Sequence, residues 1–88
     1  MKNHLKQQLE SIKATLDLNV KTIEVLFEQA RGLADIVESL GTSAEQVKIK
    51  ETLEQQVISV LDALKILVKQ TTTLFGQYND LIDKMNGQ

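Results

Sequence analysis

The sequence predicts an all-α fold: an antiparallel hairpin of two long helices that dimerises into a four-helix bundle. Apolar residues recur with alternating spacings of four and three through most of the chain, and a glycine-containing turn interrupts this pattern near the middle. Such a repeat keeps one stripe of a helix facing a partner along its whole length. Apolar residues also occupy a third position in the heptads, which is typical of a helix that contacts two neighbours in a bundle.

The first run of apolar residues predicts a helix over residues 3–40. Its members are apolar with one exception and occupy the d and a positions alternately: Leu5, Leu9, Ile12, Leu16, Asn19, Ile23, Leu26, Ala30, Leu33, Val37 and Leu40. Asn19 is the exception. A polar residue in a seam can set the register between helices, or it can turn toward the rim while Val20 fills part of its place.

The second run predicts a helix over residues 43–86. Its members continue the same spacing: Leu53, Val57, Val60, Leu64, Leu67, Thr71, Leu74, Tyr78, Leu81 and Met85. Thr71 is the polar member, and a helical threonine can donate a hydrogen bond to the carbonyl one turn earlier. We call the two runs together the seam, and we expect residues 1–88 to form a single helical-hairpin domain.

A short turn at residues 41–43 joins the two helices and forces them to lie antiparallel. Gly41 can adopt the left-handed conformation that ends many helices. Thr42 or Ser43 can cap the second helix. Two capping boxes fit the sequence, namely Thr42 with Glu45 and Ser43 with Gln46.

One side of the predicted hairpin carries large apolar residues beyond the seam, and we call it the apolar flank. Its members sit at the e positions or beside them: Val20, Phe27, Ala34, Ile58, Leu61, Val68, Phe75 and Ile82. In an antiparallel hairpin the e positions of both helices lie on the same side. Leaving these side chains in water would forgo on the order of 10 kcal/mol, so we predict that a second hairpin covers them. A twofold homodimer is the simplest arrangement, and a heterodimer with another helical hairpin fits equally well.

The other side of the hairpin, which we call the opposite flank, carries a thinner apolar set: Leu18, Val25, Ile36, Ala63 and Ile66. We expect Leu18 and Ile66 to lie at nearly the same height, because positions whose numbers add to about 84 face each other across a turn near residue 42. Leu18, Val25, Ile36 and Ile66 then form a patch for a partner helix. The alternative is that they are scattered surface apolar residues of the kind found on every soluble protein.

Two glycines, Gly32 and Gly76, fall inside the predicted helices, where each costs about 1 kcal/mol relative to alanine. Each is either a tolerated surface residue or a place where another backbone comes close or the helix bends. The sequence does not separate these interpretations.

The composition argues against most site chemistry. The chain has no cysteine, one histidine and a formal charge of -2, which disfavours thiolate chemistry and a phosphate-binding surface. His4 has no Glu-x-x-His partner of a helical metal site, and most acidic residues alternate with basic ones on outward positions. We therefore expect no enzyme, catalytic residue, metal or cofactor, and a protein partner in place of nucleic acid.

No segment is apolar for the roughly 18 residues of a membrane span, and the start of the sequence lacks the apolar core of a signal peptide. We expect a cytoplasmic protein. Secretion without a cleavable signal is an open alternative, because some export machines recognise folded helical proteins.

Two long helices about a central glycine turn, in a cysteine-free chain of this length, resemble the small helical proteins of type VII secretion. These are the WXG100 family and the small helical partners of LXG toxins. At the turn, Ser39-Leu40-Gly41 matches only the glycine of Trp-x-Gly. Near the end, Phe75 with Asn79 is one amide away from a Phe-x-x-x-Asp form, and Tyr78 has Ile82 where an acid would stand. The resemblance implies a targeting or chaperone factor for a helical toxin domain.

A different class of protein also fits the pattern. A structural or regulatory coiled-coil protein, such as a phage or plasmid assembly factor or a small inhibitor of a helix-binding groove, would show the same heptads without a role in secretion. A large toxin gene beside this one would favour the secretion partner.

Overall fold

The computed structural model describes residues 2–87, and these form two helices, α1 over Lys2–Ser39 and α2 over Ala44–Asn86. The helices contact each other and fold into an object 67 Å long and 15 by 13 Å across. Since each helix is about 60 Å long at 1.5 Å per residue, the short loop returns the chain antiparallel beside itself. The predicted all-α hairpin is confirmed, and its helix bounds were predicted to within one residue.

Burial follows the predicted seam. Every member of the two runs is buried or half-buried, whereas outside them only Ala34, Gln46 and Ile82 are shielded to that extent among residues 3–87. Leu16, Ala30 and Leu64 are the most buried, at 7 to 9% exposure. The heptad assignment is therefore confirmed residue by residue, but the hairpin alone encloses very little apolar surface.

Ser43 caps α2. Its hydroxyl accepts a hydrogen bond from the Gln46 backbone amide at 3.2 Å and donates one to Gln46 Oε1 at 3.0 Å. Of the two capping boxes that fit the sequence, the structure uses Ser43 with Gln46. This cap satisfies one of the amides that the first turn of a helix leaves without a partner.

The predicted left-handed conformation of Gly41 is wrong, because no residue among 2–87 has a positive φ. Helix α1 ends instead with Leu40 donating its backbone amide to the Val37 carbonyl at 3.3 Å. A Cβ at position 41 would overlap the side chain of Gln46. Close approach of Gln46, and not backbone conformation, is what favours glycine at this position.

The helices are offset further than the sequence suggested. Three grooves between them are each lined by residues from both helices: Gly32 with Ser59, Ser11 with Asp80, and Ala34 with Val57. In each pair the residue numbers add to 91, where we expected about 84. By this register Ser39 is level with residue 52, so residues 44–51 of α2 extend about 12 Å beyond α1. The loop climbs along this overhang, which is why the turn is not the midpoint of the hairpin.

This register corrects the predicted height of the opposite flank. Leu18 is level with residue 73, so it lies about 10 Å along the axis from Ile66. Val25, whose number adds with 66 to 91, is the residue level with Ile66.

The two polar members of the seam share one level. Asn19 and Thr71 have numbers that add to 90, and both side chains are half-buried. The Thr71 hydroxyl donates to the Leu67 carbonyl at 2.7 Å, as predicted for a helical threonine. Sequence reasoning treated these residues separately, because their pairing depends on the register.

Gly32 and Gly76 both have open space where a Cβ would stand, with no atom from outside their own stretch of helix within 4 Å. Gly32 lines a groove on the opposite flank, whereas Gly76 faces outward. Within the described residues, neither helix has a stretch long and apolar enough to cross a membrane.

Candidate helix-binding site

The apolar flank is open to solvent along most of its length. Six of its side chains are about half exposed: Val20 at 48%, Phe27 at 58%, Ile58 at 49%, Leu61 at 48%, Val68 at 47% and Phe75 at 55%. The other two, Ala34 and Ile82, are half-buried. The hairpin brings the predicted interface residues onto one surface but supplies nothing to cover them.

The sequence analysis missed two exposed apolar residues at the start of α2, Val47 at 39% and Ile49 at 47% exposure. Extending the heptads backward from Leu53 places Gln46 at d, so Val47 falls at e and lengthens the apolar flank. Ile49 falls at g, on the opposite flank. The half-burial of Gln46 shows that the seam continues to this point.

A groove opens on the apolar flank near the loop, and we call it the turn-end groove. Its floor and sides are formed by Ala34 and Val37 of α1 and by Val57 and Ile58 of α2. Glu38 and Glu54 stand at its rim, one on each helix. The groove is thus apolar inside and acidic at its edge.

The other end of the apolar flank is basic at its e positions, where Lys6 and Lys13 take the place of apolar residues. Lys13, Glu38 and Glu54 form no ion pair with another described residue; Arg31 and Glu28 do, at 3.7 Å, and both of these side chains are exposed. The flank therefore has an apolar centre with unpaired charge of opposite sign toward its two ends.

An aromatic contact links the apolar flank to the seam. The rings of Phe75 and Tyr78 have centroids 6.5 Å apart and planes tilted by 53°. Tyr78 is half-buried in the seam and Phe75 is exposed on the flank. Because one face of Phe75 already rests on a seam residue, its other face is presented on an ordered support.

The opposite flank carries the predicted partner patch in a more exposed form. Leu18 is 63% exposed, Val25 56%, Ile36 49% and Ile66 60%. Ile36 lines a groove with Gly32 and Leu33 of α1, and Thr52 and Gln56 lie across it on α2. Leu18 does not border this groove, so the structure does not gather the four residues into one compact patch.

The g and c positions of the opposite flank carry no charge over most of the hairpin. In α1 they are Gln8, Ser11, Thr15, Leu18, Thr22, Val25, Gln29, Gly32, Ile36 and Ser39, and in α2 Ile49, Thr52, Gln56, Ser59, Ala63, Ile66, Gln70, Thr73 and Gln77. A quarter of all residues in the chain are charged, so their absence from this surface is a marked bias. Sequence reasoning could have found it by sorting charges by heptad position.

The described residues offer little to acid–base or metal chemistry. His4 is exposed and accepts a contact from Gln8, with the two Nε2 atoms 3.3 Å apart. Residues 2–87 contain no group of three or more His, Asp or Glu side chains arranged to hold a metal ion. What the arrangement does offer is a long apolar surface with a charged margin, which is suited to contact with other helices.

No family model matches this chain, and no curated protein or solved structure shows significant similarity to it.

Proposed function

We propose that this protein is a non-enzymatic helix-binding protein whose apolar flank is covered by a second helical hairpin, giving a four-helix bundle. The observation that carries the proposal is the row of half-exposed apolar side chains from Val20 to Phe75 beside a seam with only three buried residues. Bundle helices bury a third position in each heptad against a second neighbour. This hairpin has that third position and lacks the neighbour.

The energetic argument compares the surface left open with the stability of a small domain. At about 25 cal/mol per Å², burying the remaining half of a large apolar side chain contributes on the order of 1 kcal/mol. The apolar flank therefore offers several kcal/mol, against a typical net stability of about 5–15 kcal/mol for a whole domain. Covering the flank is comparable in effect to forming the hairpin itself.

The shape of the flank favours a hairpin as its occupant over a single short helix. The apolar residues run on both helices, and by the register they span from the level of Ile82 to that of Val47, about 35 residues or 50 Å. One helix laid between α1 and α2 would leave the outer edges of both rows wet. Two helices side by side match both rows.

We further propose that the biological setting is type VII secretion, with this protein as a targeting or chaperone factor for a helical toxin domain. Two antiparallel helices of nearly equal length about a short loop support that resemblance in shape. The missing tryptophan at Ser39 and the mismatched positions after Phe75 and Tyr78 bear on recognition by the export machine, and they leave helix pairing unaffected.

The test of helix binding is the assembly state in two samples. Sedimentation equilibrium of the purified protein, and of the complex isolated from its native cell after chemical crosslinking, should show a mass above that of the monomer in at least one of them. Crosslinks should map to Lys6, Lys13 or Lys65, which border the apolar flank. A monomer in both samples, with a cooperative melt, contradicts the proposal.

The test of the secretion role is separate. Export should be measured in the culture medium of the native strain and of a strain lacking the secretion ATPase. Loss of this protein, or of a co-purified toxin, from the medium of the second strain alone supports the role. Equal amounts in both media contradict it without affecting helix binding.

A further inference from the structure

We propose that the occupant of the apolar flank is a second copy of this chain packed head to tail, with the loop of each copy beside the open end of the other. In this arrangement Lys13 of each copy lies over the turn-end groove of its partner, between Glu38 and Glu54. The inference rests on the proposed function, and it adds the identity and the orientation of the partner.

The charges on the flank are the first support. Glu38 and Glu54 rim the turn-end groove, and Glu51 lies one turn from Glu54 on the same side of α2. Lys6 and Lys13 occupy e positions at the other end. A basic end and an acidic end on one surface are complementary to the same surface turned end for end.

The spacing of the apolar residues is the second support. Using the observed register, Val68 is level with residue 23, about halfway along the hairpin. Val20 and Phe27 lie at nearly equal distances on either side of that level, and so do Leu61 and Phe75. A twofold axis across the flank at Val68 therefore places Val20 on Phe27, Phe75 on Leu61, and Val68 on its own copy.

The same axis determines where the lysines go. It places α1 of one copy on α1 of the other, with Lys13 facing Ala34 of the second copy. Ala34 is part of the turn-end groove. The aliphatic part of the Lys13 side chain can then lie in the apolar groove while its ammonium group reaches Glu38 and Glu54.

The reverse orientation, with both loops at the same end, is disfavoured by charge. It would bring Glu38 and Glu54 of both copies to one level, gathering four carboxylates around two facing grooves. At the other end it would bring the Lys13 side chains of the two copies together. Like charges placed across an interface suppress that pairing.

One residue opposes the head-to-tail arrangement. Glu10 lies at a b position near the level of Lys13, so it approaches the acidic end of the partner. It sits farther from the centre of the flank than the e positions do, and Lys6 and Lys13 lie about one turn on either side of it. The balance of charge at the contact itself remains attractive.

The decisive experiment measures the dimer dissociation constant of charge variants by sedimentation equilibrium at low salt. Lys13→Glu should raise the constant about tenfold, because it replaces two attractive contacts with two repulsive ones. Glu38→Lys with Glu54→Lys should act in the same direction, and the triple variant should return the constant close to that of the wild type. Asp62→Lys on the outer surface serves as the matched control and should have no effect.

In the reverse orientation each of these sites faces its own copy, so Lys13→Glu alone would leave the constant unchanged. That result overturns the head-to-tail arrangement while leaving helix binding intact. A purified wild type that stays monomeric, with the protein found only in a heteromeric complex from its native cell, also overturns this inference alone. A monomer in both samples overturns the proposed function itself.

Engineered cysteines give an independent readout, since the chain has none of its own. A disulfide requires Cα atoms within about 7 Å. Oxidised Val68→Cys should link to itself in the head-to-tail dimer, and a mixture of Val20→Cys and Val68→Cys should yield no mixed dimer. Mixed dimers without self-linked Val68→Cys would show the loops at the same end and overturn the inference.

Discussion

The two flanks of the hairpin differ in charge more than in exposure. Apolar side chains on both are about half exposed or more, Phe75 at 55% on the apolar flank and Ile66 at 60% on the opposite flank. The apolar flank places large residues at nearly every e position of its central part, with charges at its ends and border. The opposite flank alternates isolated apolar residues with glutamine, serine and threonine, and it carries no charge for most of its length.

This difference separates two physical properties that exposure alone does not. A continuous apolar row provides a large free energy on burial, and the charges at its margin set orientation and specificity. A charge-free polar surface provides little free energy, yet it also imposes no penalty of unpaired charge when something approaches. The apolar flank is therefore the surface expected to drive assembly, and substitutions on the two flanks should have unequal effects.

The largest expected effect is loss of assembly on placing a charge in the apolar flank. Phe75→Glu or Val68→Glu should dissociate the oligomer, because burying an unpaired carboxylate costs several kcal/mol. Lys69→Glu, on the outer surface of α2, is the matched control and should leave the mass unchanged. Sedimentation equilibrium checks both, and an intact, equally stable Phe75→Glu oligomer would show that the interface has been assigned to the wrong face.

A second, smaller effect distinguishes the seam from the apolar flank. Leu64→Ala removes a side chain that is only 9% exposed, so it should cost about 2–3 kcal/mol by opening a cavity. Leu61→Ala, three residues away, removes a side chain that the hairpin leaves half exposed. Thermal melts over a range of protein concentrations should show a midpoint loss at every concentration for Leu64→Ala. For Leu61→Ala the loss should grow at concentrations where the wild type is assembled, and identical behaviour of both variants would contradict the distinction.

The seam and the helix bounds were predictable because they depend on local periodicity. The spacing of four and three identified every shielded member of the two runs, and Ser43 with Gln46 was one of two caps that the sequence allowed. The register was not predictable in this way. It depends on how the loop passes the first turns of α2, and this is why the predicted pairing of Leu18 with Ile66 was wrong and the shared level of Asn19 and Thr71 was missed.

Which residues share a flank followed from the heptads, whereas what lies level with what required the structure. The turn-end groove, with Glu38 and Glu54 on its two edges, appears only when the two helices are placed side by side. Val47 was missed for a simpler reason, since the second run was started at its first apolar seam residue and Gln46 was not counted. Assembly and partner stay predictions, because neither leaves a local pattern in one chain.

A gain in stability is expected on replacing the helical glycines. Gly32→Ala and Gly76→Ala each place a methyl group in open space, so each should stabilise the protein by about 0.5–1 kcal/mol through helix propensity. Gly32 lies on the opposite flank and Gly76 on the outer surface, so neither change should alter the mass of the assembly. Circular dichroism melts check the gain, and a loss at Gly32 alone would indicate that another backbone packs closely against it in the assembled protein.

The smallest effect on assembly is expected from charging the opposite flank. Val25 and Ile66 lie at one level there by the observed register, and they are 56% and 60% exposed. Val25→Asp with Ile66→Asp should leave helicity and oligomer mass unchanged, because hydrated carboxylates at exposed positions carry little penalty. Leu18→Asp with Ile66→Asp, about 10 Å apart along the axis, is the matched variant for the patch predicted from the sequence and should behave alike. If either double variant sediments as a monomer while Lys69→Glu does not, the charge-free surface contributes to the dimer interface, and the contrast between the two flanks fails where it makes its clearest prediction.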